Sequence, residues 1–330
     1  MSVQQYMKHP LVSITIFSYN QSSYICDAID SVINQTYTNL EIIIVDNGST
    51  DGSKDIIQRY LSDERVVFLN HADNKKFSIR QNEACALSTG EFIGILYADD
   101  YYLLDKIEKQ VNLFETLDDS YGVVHGPGLI EKSYTTTLTL SPCSKVSGFC
   151  FHSLLDQWSD GFCNPISPLA RRKCYIEYPA DEEVFFGGGE GLFLLFSLRY
   201  KFYYLDEPMV VMREHEKNAG KRVKSNTDTH HVFMTKLIHH KEVRSESIPY
   251  IQKHLSYFKM NAAWHLLRTN DDLNYAKDLY LQALKLYPKN LLHFKQFAGF
   301  ILSFCPSIFI RFFNRGAFLF SKKRHFYGIE

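Results

Sequence analysis

Two adjacent carboxylates, Asp99 and Asp100, interrupt the stretch ILYADDYY (residues 95–102) directly behind an apolar run. Like charges side by side are costly unless water, a cation or hydrogen-bond donors offset them. Alone, such a pair is the solvated end of a strand or the cap of a helix beginning near Leu103. Two further stretches share the pattern of an apolar run breaking into short polar side chains: SYN at 18–20 after VSITIF, and DNGSTDGS at 46–53 after EIIIV. An aromatic ring, an amide and a carboxylate pair suit a nucleoside diphosphate. Tyr19 can stack on a base, Asn47 or Asp46 can hydrogen-bond its edge, and Asp99 with Asp100 can hold a divalent ion against the pyrophosphate.

These groups can act together only if the fold brings them to one place. VSITIF (12–17), EIIIVD (41–46), RVVFLN (65–70), EFIGILY (91–97) and GVVH (122–125) read as strands; 22–34, 53–62, 78–88 and 103–117 read as helices. Strand and helix in alternation imply a mostly parallel sheet covered on both faces, with ligands beyond the carboxyl ends of its strands. All three polar clusters fall at such ends. Arg80, Gln81 and Asn82 open the helix after the third strand, where donors could face phosphate or ribose; a purely structural part for Arg80 is equally open.

Between 126 and 220 the pattern loosens into turn-rich segments, then a helix-like LFLLFSLRY and a strand-like FYYLDEPMVVMR. Beyond about 225 the chain turns helical. Residues 256–289 read as a helical hairpin with tetratricopeptide-like spacing, Ala276, Tyr280, Ala283, Leu284 and Tyr287 on one face, and a lone repeat of that kind must dock on something. The last forty residues hold ten of the 25 phenylalanines, and 301–330 carries five Lys or Arg against one acid. The apolar run 297–310, broken by Pro306, is shorter than the roughly 20 residues of a membrane span. Basic amphipathic helices lying on an anionic membrane are one reading, and a C-terminal helix packed on the core is the other.

With 330 residues, 45% hydrophobic and 22% charged, the chain is an ordinary globular one, and its net charge of -1 offers no global field for nucleic acid. Seven cysteines without a CxxC pair suggest reduced, mostly buried thiols. The N-terminus lacks the features of a secretory leader, so a cytoplasmic setting is expected. The histidine pairs 230/231 and 239/240 lack a fourth metal ligand at suitable spacing and read as a solvated helix face. Arg171 and Arg172, after CNPISPLA, could meet an anionic acceptor, but a surface pair is the safer reading.

Over about residues 10–220 the chain resembles the inverting nucleotide-sugar glycosyltransferases of family 2, with the A-type fold. The resemblance rests on PLVSITIFSYNQSSYICDAIDSVINQTYTNLEIIIVDNGSTDGS, STGEFIGILYADD and GGGEGLFLLFSLRYKFYYLDEP. It implies an α/β, Rossmann-like nucleotide-diphospho-sugar transferase fold with a mostly parallel sheet. Residues 1–222 would form the catalytic domain, with a nucleotide-binding half at about 10–125 and an acceptor-side half at 126–222, ahead of a helical region at 223–330.

Carried over by position, the resemblance implies base contacts from Tyr19 and Asn47, ribose and metal contacts from Asp99 and Asp100, and Glu190 as catalytic base. His215, in MREHEKNAG, falls where many members carry a histidine near the diphosphate. The chain departs from the family pattern in having Asn47 where VDDGS is common, Tyr97 in place of the first acid of DADD, and Gly191 after Glu190. A divalent cation (Mn2+ or Mg2+), a nucleotide-sugar donor (UDP- or dTDP-sugar favoured) and a glycan or lipid-linked acceptor are implied. So is bacterial surface polysaccharide synthesis at the inner face of the cytoplasmic membrane. A nucleotide-sugar-binding protein without transferase activity is the alternative reading of an isolated Glu190.

Overall fold

A computed structural model describes residues 9–132, 137–157, 164–184, 190–215 and 223–318, apart from the side chains of 190, 312, 313 and 315–318. The chain divides into two compact units, Met1–His215 and Glu216–Glu330.

In the first unit, β1 (Val12–Ser18) is buried along its whole length, as an apolar β-branched run flanked on both sides must be. It pairs in parallel with β2 (Leu40–Asp46) on one edge and β4 (Phe92–Tyr97) on the other, and β3 (Val66–Asn70) continues outward from β2. The register sets Ser18 opposite Asp46 and Phe17 opposite Tyr97, so the chain leaves three neighbouring strands at one level. Helix Ile25–Ile33 buries Ile25, Ala28, Ile29 and Val32, the i, i+3, i+4, i+7 stripe of a helix on a sheet. Helix Lys106–Thr116 likewise buries Ile107, Val111 and Phe114. Helix Phe77–Leu87 differs, burying Arg80 and Gln81 along with Ala84 and Cys85.

The sheet is mixed beyond β4. After β5 (Tyr101–Tyr102), β6 (Tyr121–His125), β7 (Leu129–Lys132) and β8 (Leu138–Leu140), the short β9 (Leu169–Arg171) inserts antiparallel between β4 and β6. With β10 (Lys201–Tyr204) parallel to β6, the seven-stranded order is β10-β6-β9-β4-β1-β2-β3. FYYLDEPMVVMR is two strands, because Asp206–Pro208 separates β10 from β11 (Val210–Glu214). The latter joins a second sheet, β5-β11-β7-β8, antiparallel to β5 and parallel to β7. Arg171 is buried rather than at the surface: its Nε donates to the Tyr121 carbonyl and its guanidinium meets Glu91 at 3.1 Å. The antiparallel insertion of β9 carries it inside.

The second unit is helical. Helices Ile248–Thr269 and Leu273–Leu286 form the hairpin, the first starting earlier than the repeat spacing suggests. Asn270 in the left-handed region ends one helix, and the Asp272 side chain, accepting from the Tyr275 amide at 3.0 Å, starts the next. Ala276, Tyr280 and Ala283 are buried against Met260, Ala263 and Leu267. Val223, Phe300 and Ile310 from the neighbouring helices Val223–Ile238, Phe294–Leu302 and Ser307–Phe318 also pack on this core, so the hairpin is covered within its own unit. His230 corrects the expectation of a solvated face. It is fully buried, its Nε2 lies 2.8 Å from Nε2 of His254, and its ring stacks on Phe258. Among the described residues, no helix is long and apolar enough to cross a membrane.

Candidate active site

The loops leaving β1 and β2 are tied together by short polar side chains. Asn20, at φ 55, offers Oδ1 to the Thr50 amide at 2.8 Å, and its own amide donates to Ser49 Oγ at 2.9 Å. The Ser22 amide reaches Asp51 Oδ2 at 2.9 Å, and the Gln21 amide reaches Ser53 Oγ at 3.1 Å. Burial opposes ionisation of Asp51, but hydrogen bonds from Ser53 and Ser22 outweigh it and carry its carboxyl down to about 2. An ionised carboxylate accepts strongly from amides, so this lattice holds the two loops in one geometry. Tyr19 is left 46% exposed at its edge.

Asp46, at the end of β2, is fully buried. Its Oδ1 accepts from the Ser49 amide at 2.8 Å, whereas Oδ2 has no hydrogen-bond partner among the described residues. Asn47 and Arg80 are brought to each other. Asn47 Oδ1 accepts from Arg80 Nε and from the Lys75 amide, both at 2.9 Å, while Nδ2 donates to the Lys75 carbonyl at 2.8 Å. Arg80, only 4% exposed, donates further to Asp73 at 3.0 Å and Glu83 at 3.3 Å. Both side chains therefore fix the 73–75 loop in this arrangement, and the guanidinium is not turned toward an open anion site. Gly48, at φ 84, underlies that loop: a Cβ there would stand 2.7 Å from the Asp73 carbonyl carbon.

The carboxylate pair divides its work. Asp100 is buried, and its Oδ1 accepts from the Arg213 amide of β11 at 2.8 Å. Burial, and then the neighbouring Asp99 charge, push its carboxyl well above the usual range. With β11 pinned there, His215 follows two residues on, and its Nε2 lies 3.2 Å from Asp99 Oδ2. The His215 ring stacks on Tyr24, centroids 5.3 Å apart. Arg213 binds Asp27 at 2.6 Å and Glu131 at 3.0 Å and lies over the rings of Tyr24 and Tyr101. Arg213 and Tyr24 were not anticipated; their signal is the MREHE alternation and the aromatic just past SYN.

Among the described residues no three His, Cys, Asp or Glu side chains converge as a ready metal cage. Asp99 and His215 nonetheless make an oxygen and nitrogen pair suited to a divalent ion whose other ligands are phosphate oxygens and water. Asp100 is committed through Oδ1 to β11. Glu190 opens the helix Glu190–Phe196, but its side chain lies outside the described residues. Just upstream, Asn82 holds the Ala180 backbone through both amide atoms, at 2.8 and 2.9 Å. Lys76 donates to the Glu183 carbonyl at 3.1 Å. Residues 180–183 are thereby tied to the start of helix Phe77–Leu87.

The sequence matches the family described as glycosyl transferase family 2 over residues 13–166, which spans β1, β2, β4 and the loops between them. Those residues form a glycosyl transferase family 2 domain. The chain is 40% identical over 103 residues to TuaG of Bacillus subtilis (strain 168), a glycosyltransferase assigned to teichuronic acid biosynthesis, covering 31% of this chain and 41% of TuaG. It is 38% identical over 106 residues to the Escherichia coli UDP-Glc:alpha-D-GlcNAc-diphosphoundecaprenol beta-1,3-glucosyltransferase WfaP, covering 32% and 42%. The chain thus spans about two-fifths of the length of these relatives.

Among solved structures, S. aureus TarS 1-349 superposes with a TM-score of 0.62 at 14% identity, over 93% of this chain and 91% of that one. The mannosyltransferase PcManGT from Pyrobaculum calidifontis, in complex with GDP-Man and Mn2+, does so at 0.57 and 18% identity, over 91% and 87%. Likeness at such identity speaks for the fold. The family 2 domain has the mixed α/β, Rossmann-like fold of A-type glycosyltransferases, and a helical region follows it.

Proposed function

We propose that this protein is an inverting, metal-dependent glycosyltransferase that moves a sugar from a nucleoside diphosphate to a glycan or lipid-linked acceptor in bacterial surface polysaccharide synthesis. The observation that carries the reading is the meeting of Asp99 with His215 at 3.2 Å, at the strand-end level from which Tyr19 and Asp46 also emerge in a family 2 domain. The exposed Tyr19 ring stacks on the base, and Asp46, whose buried Oδ2 has no hydrogen-bond partner among the described residues, is assigned to its edge. Asn47 and Arg80 act behind them by holding the loop. Asp99 and His215 would hold a Mn2+ or Mg2+ ion, which when bound supplies positive charge for the departing diphosphate.

The remaining chemistry belongs to the chain. Glu190 takes the proton of the acceptor hydroxyl, whose oxygen forms a bond to the anomeric carbon from the face opposite the diphosphate. The bond to the diphosphate oxygen breaks as that bond forms, and the anomeric configuration inverts. Lipid-linked acceptors accord with the diphosphoundecaprenol substrate in the name of WfaP, and UDP donors with the UDP-Glc named there. An enzyme working on such an acceptor would act at the inner face of the cytoplasmic membrane.

The test is acceptor-dependent release of nucleoside diphosphate from a panel of UDP-, dTDP- and GDP-sugars with Mn2+ or Mg2+. Release with one donor class and its loss on chelation are expected. Selective, metal-dependent donor binding without turnover on any lipid-linked or glycan acceptor would make the protein a nucleotide-sugar binder instead.

A further inference from the structure

From Leu292 to Phe309 the helical unit turns a row of large apolar side chains outward: Leu292 is 85% and Phe294 86% exposed, and Phe297, Ile301, Phe304, Ile308 and Phe309 are all exposed. Phe294, Phe297 and Ile301 recur at i, i+3, i+7 on one face of helix Phe294–Leu302. The opposite face is already committed. Gly299 sits where a Cβ would stand 2.8 Å from the Trp264 ring and closer still to the Tyr280 hydroxyl, and Gln296 donates to Asn261 at 2.8 Å. In the next helix Ile310 is buried and Asn314 donates to the carbonyls of Leu267 and Arg268. Gly299, Gln296, Ile310 and Asn314 all face inward, and among the described residues the outer row is left exposed on the other side of these helices.

The charge around the row selects what covers it. From Lys277 to Glu330 the sequence contains nine Lys or Arg against two acids, Asp278 and Glu330. Cations border the row itself: Lys277 Nζ lies 4.5 Å over the Phe304 ring, and the exposed Arg311 stands one turn beyond Ile308. Two copies packed through this face would set Lys277 and Arg311 of each rim against those of the other. Acidic phospholipid headgroups over an acyl layer meet both features.

We propose that the outer face of helix Phe294–Leu302 and the first turn of helix Ser307–Phe318 docks on an anionic bilayer surface, Phe294, Phe297, Ile301 and Ile308 entering the headgroup and acyl boundary. The proposal bears on where a lipid-linked acceptor would be met, but its test requires no turnover, so it and the reading of the active site fail separately.

The experiment is sedimentation of the full chain with vesicles of phosphatidylglycerol and phosphatidylethanolamine, and with phosphatidylcholine alone. Wild type is expected to sediment with the acidic vesicles only and to be released as salt shortens the screening length. Phe294→Asp/Phe297→Asp and, separately, Ile301→Asp/Ile308→Asp should weaken vesicle binding at least about tenfold. Because all four side chains are solvent-exposed, circular dichroism and melting should match wild type. Undiminished sedimentation of both variants, or wild type remaining in the supernatant with acidic vesicles, overturns the proposal. So does a lipid-free wild-type dimer that Phe294→Asp/Phe297→Asp dissociates, since the face would then join two copies of the chain.

Discussion

Asp99 Oδ2 and His215 Nε2 stand 3.2 Å apart although 116 residues separate them in the chain. The contact follows from Asp100, whose Oδ1 accepts the Arg213 amide and so anchors the end of β11 beside the loop that leaves β4. One acid of the pair thus sets the contact that the other makes. For the proposed metal role, His215→Ala should lower the affinity for UDP in Mn2+ by about 10- to 100-fold, the range seen when a metal site loses a supporting group. Affinity in chelator should be unchanged. Calorimetric titration under both conditions is the check, and an equal loss in each would move His215 from metal to phosphate.

Tyr19→Ala should weaken nucleoside diphosphate binding by about 1 to 3 kcal/mol, the worth of an aromatic ring stacked on a base. Since Tyr19 is 46% exposed, stability should not change. An unaltered dissociation constant would show that the ring does not meet the base.

Asn47→Ala removes the acceptor for Arg80 Nε and for the Lys75 amide together. The buried guanidinium loses a partner, and the expected destabilisation is about 1 to 3 kcal/mol in urea unfolding. Donor affinity should fall with it, because the 73–75 loop loosens. A variant as stable as wild type but unable to bind donor would instead assign Asn47 to the ligand.

Glu190→Gln separates turnover from binding. A base that acts on the acceptor proton alone should leave donor affinity intact while acceptor-dependent release falls by roughly 10² to 10⁴-fold. If turnover is unchanged, Asp181, Glu182 and Glu183 are the next carboxylates to replace.

His125, fully buried at the end of β6 with its Nε2 3.0 Å from the Val146 carbonyl, is held by burial down at about 4 from 6.5. Above pH 6.5 neither folded nor unfolded chain is protonated there. As pH falls through 6.5 the unfolded chain takes up the proton first, and stability drains away until about 4, by about 3 kcal/mol in total. Melting curves between pH 7.5 and 4.5 should therefore decline less steeply for His125→Gln than for wild type. Parallel slopes would assign the acid sensitivity to other groups.

Local patterning was enough to read the strands through Val12, Ile42, Val66, Phe92 and Val123 and the helices between them, since each carries its own periodicity of buried side chains. It also placed Tyr19, Asp46 and Asp99 at one edge, because parallel strands joined by helices must end on the same side. What patterning could not reach depends on partners remote in the chain. Three residues, 169–171, have too short a period to announce a strand, yet pairing on both sides makes β9 antiparallel and takes Arg171 out of water. Asn47 and Arg80 look alike as ligand groups or as each other's partners until the helix after β3 sets them 2.9 Å apart. His230 looked solvated until His254 and Phe258 closed over it. Residue type and spacing declare which groups can do chemistry and which end of a strand bears them; whether a polar group faces a ligand or another side chain is set by packing across distant segments, where burial makes an unpaired donor or acceptor too costly to leave.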